Sequence, residues 1–293
     1  MGEILQYGFM QRALVAGVVI GTVCAVIGVY VVLRGISFIG AGIAHASFGG
    51  VAIGFALGVN PVAAAVVFCL FVAWAVGMVA ERGKVREDTA VGVFFAATMA
   101  LGILVIGLMK GYQVDLFSYL FGSILAVTKA DLWMSAGLGA VVLATVAVLF
   151  KELLFITFDP EMAEVTGVPA GRLHYVLLGL IALTVVLSMK VVGIVLVSAL
   201  IVTPAAAAYQ LTEDFRKMMA VSVAIGIFAA TGGLLLSYWL NTGSGATIVL
   251  LATAVFFGAL AVSPRRRRGR SRKAGPAAVM GGTQQDETGE SAG

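Results

Sequence analysis

The chain is 293 residues long, of which 60% are hydrophobic and only 12% are charged, and its mean hydropathy is +1.05. An ordinary soluble domain carries roughly a quarter charged residues, so this composition excludes a water-soluble protein and predicts an all-α chain embedded mostly in a bilayer. The net charge of +4 depends on one basic cluster near the C-terminus, so it does not indicate a nucleic-acid partner.

Nine apolar runs predict membrane-spanning helices, each of which needs about 20 apolar residues. In chain order they are Phe9–Leu33, Ile36–Val59, Val62–Ala80, Ala90–Met109, Leu132–Phe150, Leu173–Met189, Val191–Tyr209, Met218–Leu240 and Ala246–Val262. The sixth run is short enough to be a broken or re-entrant segment. Eight spans therefore remain an alternative to nine.

The distribution of Lys and Arg predicts the orientation, because short loops rich in these residues stay in the cytoplasm. Nine spans with the N-terminus outside and the C-terminus inside place most basic loops in the cytoplasm. The exceptions are Lys110, Lys129 and Lys190. We therefore expect a multi-pass protein of the plasma (inner) membrane.

The composition changes after residue 263. Seven of the nineteen cations lie between Arg265 and Lys273, and polar residues and glycines follow. This pattern predicts a transmembrane domain at 1–263 and a disordered basic and polar cytoplasmic tail at 264–293. The basic cluster is interpreted as a topology signal or as a contact with anionic membrane lipid.

The second predicted span contains a histidine among unusually small residues. Gly42, Ala46 and Gly49 recur at helical spacing around His45, which favours close approach of other helices. An imidazole at membrane depth is costly unless it has a partner or faces a wet pathway. We interpret His45 as part of a transport route; the alternative is a histidine that a backbone carbonyl or Ser47 satisfies.

A cytoplasmic stretch from Phe158 to Val168 predicts a short helix. Asp159 before Pro160 is typical of a helix start, and Gly167 is typical of a helix end. Such a polar helix is either a docking site for another subunit or an ordinary loop helix. The candidate docking residues are Asp159, Pro160, Glu161, Glu164 and Gly167.

Two further features are candidates for function. Pro204 lies inside an apolar run and predicts a helix kink, either static or a hinge. Asp115 and Asp131 flank an aromatic segment that is predicted to lie outside, where carboxylates attract cations. The alternative is that the aromatic residues simply mark the membrane interface.

Sequence motifs of catalysis are missing from the chain. Gly83 and Lys84 are followed by Val85 and lack the earlier glycine of a phosphate-binding loop. No HExxH pair and no GxSxG elbow occurs either. The sequence therefore predicts that the chain is not an enzyme and that any ATPase is a separate chain.

Four segments in the same order resemble the permease subunits of bacterial ABC importers for zinc and manganese. They are the stretch from Arg34 to Gly50, the stretch from Val114 to Asp131 with YLFGSILAVTKADL, DPEMAEVTGV, and MKVVGIVLVSALIVTPAAAA. The resemblance covers nearly the whole chain up to Pro264. It implies a permease of the vitamin-B12-importer-like, or type II, class.

The resemblance also implies partners and a mechanism. Two copies of the permease would pair above two ATPase subunits, and an extracytoplasmic metal-binding protein would deliver a divalent ion. The helix at DPEMAEVTGV would couple ATP-driven closure to alternating access. No cofactor is expected, since the metal ion is the cargo.

The chain departs from the family pattern at one position. A carboxylate usually stands four residues before the motif histidine, and here Ala41 occupies that place. Loss of an oxygen ligand favours zinc slightly, because zinc accepts imidazole readily whereas manganese prefers carboxylates. The expectation is therefore zinc, with manganese or iron as alternatives.

Two hypotheses of other classes are less consistent with the residues. An ion-coupled secondary transporter predicts several ionisable groups near the midplane and an inverted repeat, yet only His45 is evident there. A membrane scaffold would leave the small-residue core and the central histidine without a purpose.

Overall fold

The computed structural model describes residues 8–109, 120–122 and 128–263. Helices and no strands are found in these ranges. In chain order the helices are α1 (Gly8–Leu33), α2 (Ile39–Ala56), α3 (Pro61–Gly83), α4 (Glu87–Leu108), α5 (Lys129–Val148), α6 (Phe150–Phe158), α7 (Pro160–Val165), α8 (Ala170–Val192), α9 (Ile194–Leu211), α10 (Phe215–Leu240) and α11 (Ser244–Val262).

All of these helices except α6 and α7 are long and apolar enough to cross a membrane. The expectation of nine candidate spans is thus confirmed. The alternative of eight depended on a broken sixth run, but α8 continues without interruption over 23 residues. The sequence did not predict α6, which follows α5 after a break of one residue at Leu149.

Polar side chains fix several helix ends. The Asn60 side chain accepts hydrogen bonds from the backbone N–H groups of Val62 and Ala63, and Pro61 opens α3. The Asp214 carboxylate accepts one from the Lys217 backbone N–H at 3.0 Å, and this bond lowers the pKa of Asp214. These caps satisfy N–H groups that the first turn of a helix leaves free.

The helices form an inner and an outer group. Most of α1, α2 and α8 is buried, whereas most residues of α4, α5 and α11 are exposed or only partly buried. Since apolar side chains are stable against lipid, the outer group suits a bilayer. α1 packs against α9 and α10, and α2 packs against α3, α4 and α9. The helix that carries His45 is therefore central.

A pair of glycines allows α1 and α10 to come into close contact. Where α1 crosses α10, a Cβ added at Gly21 would lie 2.6 Å from the carbonyl oxygen of Gly226. That oxygen belongs to the backbone and cannot rotate away. Gly21 is thus required for the close contact between these two helices.

We expect Gly21→Ala to lower the thermal stability of the purified protein, because overpacking of a tight core costs about 1–3 kcal/mol. The matched control is Gly137→Ala, since an added Cβ at Gly137 meets nothing within 4 Å. Thermal unfolding of both variants in detergent measures the difference. Equal midpoints for the two variants would contradict the packing argument.

Candidate metal pathway and coupling surface

The α2 helix is held at the centre of the bundle by its small residues. A Cβ added at Gly50 would lie 2.7 Å from the Cα atom of Ala65 in α3, and one added at Gly49 would lie 2.9 Å from the Thr98 carbonyl oxygen in α4. The spacing of small residues in the sequence thus corresponds to real close contacts. Their effect is to fix the position of His45 relative to α3 and α4.

The His45 side chain is half-buried and has a defined orientation. Its Nδ1 atom lies 2.9 Å from the carbonyl oxygen of Ala41, one turn earlier. Its ring also lies against Phe95 of α4, with 4.4 Å between the ring centroids. Ser47 does not satisfy the imidazole, because its hydroxyl donates to the Ala44 carbonyl at 2.6 Å.

This hydrogen bond determines the tautomer of His45. A carbonyl oxygen only accepts hydrogen bonds, so in the neutral imidazole Nδ1 carries the proton and Nε2 presents a lone pair. A neutral imidazole in this state is a metal ligand through Nε2. At position 41, therefore, the backbone oxygen orients the histidine although the Ala41 side chain offers no ligand.

The part of the chain described by the structure contains no cluster of three or more His, Cys, Asp or Glu side chains that suits a metal ion. The two cysteines are buried and free. Cys24 contacts the Ser188 hydroxyl at 3.3 Å, and the Cys69 thiol lies 3.7 Å from the Ile43 carbonyl oxygen. Both thiols therefore take part in helix packing.

The short helix α7 begins and ends as the sequence predicts. The Asp159 side chain accepts a hydrogen bond from the Met162 backbone N–H at 2.9 Å. Gly167 has a φ of +87°, and the N–H groups of Gly167 and Val168 donate to the carbonyls of Glu164 and Ala163 at 3.0 and 2.9 Å. This is the Schellman arrangement of a helix end.

The exposed surface of α7 is both acidic and apolar. Glu161 and Glu164 are exposed, and Met162 and Val165 are 51% and 83% exposed. Only Ala163 is buried, and it belongs to the core of the bundle. Sequence reasoning selected the acidic residues and missed the apolar pair, although both apolar residues stand in the same motif.

Of the two acidic residues predicted at the outer mouth, the structure describes only Asp131. Asp115 lies outside the described residues. Asp131 is only 8% exposed and closes a capping box at the start of α5, since its carboxylate accepts from the backbone N–H and the hydroxyl of Thr128 at 3.0 and 2.7 Å. Attraction of cations by these carboxylates stays a prediction.

Pro204 lies within α9 and is buried. The helix continues through it to Leu211, so the proline interrupts one backbone hydrogen bond without ending the helix. A hinge at this position stays a prediction.

A cavity of about 310 Å³, lined by both apolar and charged residues, lies beside α7, at the ends of α1 and α3 and the starts of α4 and α8. His174 Nε2 lies 3.2 Å from Glu87 Oε1 there. Burial lowers the pKa of Arg34, which shares the cavity, although the charge of Glu87 opposes this shift. Sequence reasoning missed His174 and Glu87, because they are distant in the chain and neither lies in a motif.

Comparison with known proteins agrees with this architecture. The model of the ABC 3 transport family matches residues 6–263. The manganese transport system membrane protein MntC of Halalkalibacterium halodurans is 40% identical over 264 residues, which are 90% of each chain. A probable iron transport system membrane protein of Haemophilus influenzae is 37% identical over 266 residues, 91% of this chain and 98% of that one.

A solved structure gives the same result in three dimensions. The structure of PsaBC from Streptococcus pneumoniae in complex with Fab is 35% identical and superimposes with a TM-score of 0.83, over 92% of this chain and 97% of that chain. The fold is that of type II ABC permeases, as the sequence predicted. The chain is a multi-pass membrane protein that belongs to the ABC 3 transport family.

Proposed function

We propose that this chain is the permease subunit of an ATP-driven importer of a divalent transition-metal ion, and that the ion is manganese. The observation that carries the proposal is His45, an imidazole on a central helix whose Nδ1 atom lies 2.9 Å from the Ala41 carbonyl oxygen. This leaves Nε2 available as a ligand on the pathway. The family match supports the transport class.

The choice of manganese replaces the expectation of zinc. That expectation depended on Ala41, which lacks the usual carboxylate, yet the comparisons give zinc no support and the MntC relative is named for manganese. One imidazole distinguishes weakly between first-row ions, and selectivity depends on the whole ligand set and on metal availability. Iron is the alternative that the Haemophilus influenzae relative supports.

His45 would bind the ion together with groups from outside the described residues. In the proposed assembly, a second copy of the chain supplies its matching histidine, and water fills the remaining positions. A ligand set with few charged groups suits a transporter, because a site on a pathway must release the ion as well as bind it.

The α7 helix is proposed as the surface that docks a separate ATPase subunit. It is fixed at both ends by Asp159 and Gly167, so it moves as a unit. Exposed apolar side chains beside carboxylates are typical of contact surfaces. With the N-terminus outside and the C-terminus inside, α7 lies in the cytoplasm, where ATP is available.

The proposal places the other partners on the two sides of the membrane. An extracytoplasmic metal-binding protein delivers the ion at the face where α8 joins α9. The transmembrane domain ends at residue 263, and residues 264–293 contact anionic lipid head groups. Because the chain has no phosphate-binding loop, ATP hydrolysis belongs to the partner.

The first test separates a ligand from a packing role for His45. We expect His45→Asn to reduce manganese uptake roughly tenfold or more, because the Asn amide keeps the donor that bonds the Ala41 carbonyl but has no atom at Nε2. Uptake is measured in proteoliposomes that contain the permease, its ATPase and its binding protein. His45→Ala serves as the variant that loses both features.

The same vesicles test the ion. Uptake of radioactive manganese should exceed that of zinc at equal free concentrations. Faster zinc uptake would overturn the choice of manganese, and normal manganese uptake by His45→Asn would assign the histidine to packing alone.

The second test concerns docking. We expect Val165→Asp to weaken co-purification of the ATPase subunit, because burying a new charge in an interface costs about 2 kcal/mol or more. The control is Leu57→Asp, since Leu57 is 70% exposed at the opposite end of the bundle. An ATPase that stays bound to Val165→Asp would show that α7 is an ordinary loop helix.

A further inference from the structure

The cavity beside α7 separates this helix from the charged ends of the spans. Pro160 and Glu164 line it from the α7 side, and Arg34, Glu81, Glu87 and His174 line it from the side of the spans. The cavity is open to the surface and has a volume of about 310 Å³, so it leaves room for the side of α7 that faces it to move toward the spans.

Three carboxylates line the cavity, and two of them have partners on the spans. Glu87 Oε1 lies 3.2 Å from His174 Nε2, although Glu87 Oε2 is buried without a hydrogen-bond partner among the described residues. Glu81 Oε2 accepts a hydrogen bond from the Tyr175 hydroxyl at 2.7 Å. The third, Glu164, has no side-chain hydrogen bond or ion pair with any described residue. Of these three lining carboxylates, Glu164 is the one that belongs to α7.

Arg34 is the cation that faces these carboxylates. One of its terminal nitrogens is buried and has no hydrogen-bond partner among the described residues, and neither Glu87 nor Glu81 lies within salt-bridge distance of it. A guanidinium stays charged at every physiological pH. A buried charged donor without an acceptor is unfavourable, so Arg34 gains from any movement that brings a carboxylate to it.

We infer that Glu164 forms a salt bridge with Arg34 when α7 is pushed into the cavity, and that this bond holds the permease in its ATP-bound conformation. The inference rests on the proposed role of α7 as the docking helix. A ligand or partner shifts a conformational equilibrium only through contacts that differ between the two states. The Arg34–Glu164 pair is such a contact, because it is open here and its formation satisfies a buried donor.

The backbone around Arg34 makes the pair effective. The N–H of Arg34 donates to the Tyr30 carbonyl at 3.0 Å, and the N–H of Ile36 donates to the Val31 carbonyl at 3.2 Å. Arg34 is thus fixed to the last turn of α1. A pull on its side chain is transmitted to α1 and, through the short turn that follows, to α2.

Cross-linking of the intact transporter tests the inference. Cysteines replace Arg34 and Glu164 in one permease, and a short methanethiosulfonate reagent joins them with and without a non-hydrolysable ATP analogue. The control pair replaces Arg34 and Glu161, because Glu161 is on the same helix but does not line the cavity. The native Cys24 and Cys69 are fully buried and are changed to Ser and Ala to remove any background.

We expect the nucleotide to increase cross-linking of the Arg34→Cys, Glu164→Cys pair and to leave the control pair unchanged. An equal yield with and without nucleotide, or an equal increase in both pairs, would overturn the inference. The bound ATPase is quantified in the same samples. Loss of the ATPase from variants of α7 tests docking, whereas an intact complex with no nucleotide effect refutes the approach of α7 to Arg34 that the salt bridge requires.

Charge exchange provides a second measurement. Arg34→Glu and Glu164→Arg should each lower the amount of ion imported per ATP by about tenfold, the effect of losing one charge-assisted hydrogen bond. The double exchange should recover most of that loss, since it restores the pair with reversed polarity. No recovery in a double variant that folds and binds the ATPase would count against the salt bridge.

Discussion

The backbone in a hydrocarbon layer must satisfy its own hydrogen bonds, and the architecture of this protein follows from that constraint. Helices do so within one segment, so every predicted span is a helix. Functional groups can then lie in two places. They can be side chains that face the inside of the bundle, or they can lie at helix ends where the backbone leaves the hydrocarbon layer. His45 represents the first, because its ring hydrogen-bonds within its own helix. The α7 region and the cavity beside it represent the second.

Local sequence signals predicted most of the fold. The apolar runs predicted the nine candidate spans, since span length depends on consecutive residues. Capping residues predicted the ends of α7, because Asp159 and Gly167 act within a few positions of themselves. The boundary at Leu149 was missed, since α6 continues the apolar character of α5 after a break of one residue.

The candidate site was less accessible to sequence reasoning, because its groups meet only after folding. The Tyr175 and Glu81 pair joins residues 94 positions apart, and no motif marks either residue. Glu164 illustrates the same limit: sequence placed it with Glu161 as one acidic surface, whereas the structure turns Glu164 toward the cavity. The expectation of zinc finds no support in the comparisons, whose relatives are named for manganese and iron. Ala41 shows only that one ligand is absent, whereas the preference for a metal ion depends on the complete set of ligands.

The cavity and the proposed metal pathway are linked by a short stretch of chain. Arg34 follows α1 directly, and α2 begins at Ile39, so only a turn separates the guanidinium from the helix that carries the imidazole. His45 lies six residues into α2, or about 9 Å along its axis. α2 is also in close contact with α3 and α4 through Gly50 and Gly49, so these three helices form one closely packed unit. In the proposed mechanism, a charge pair formed by Arg34 thus acts on the helix that carries His45, and such a connection is what control of ion release by ATP binding requires.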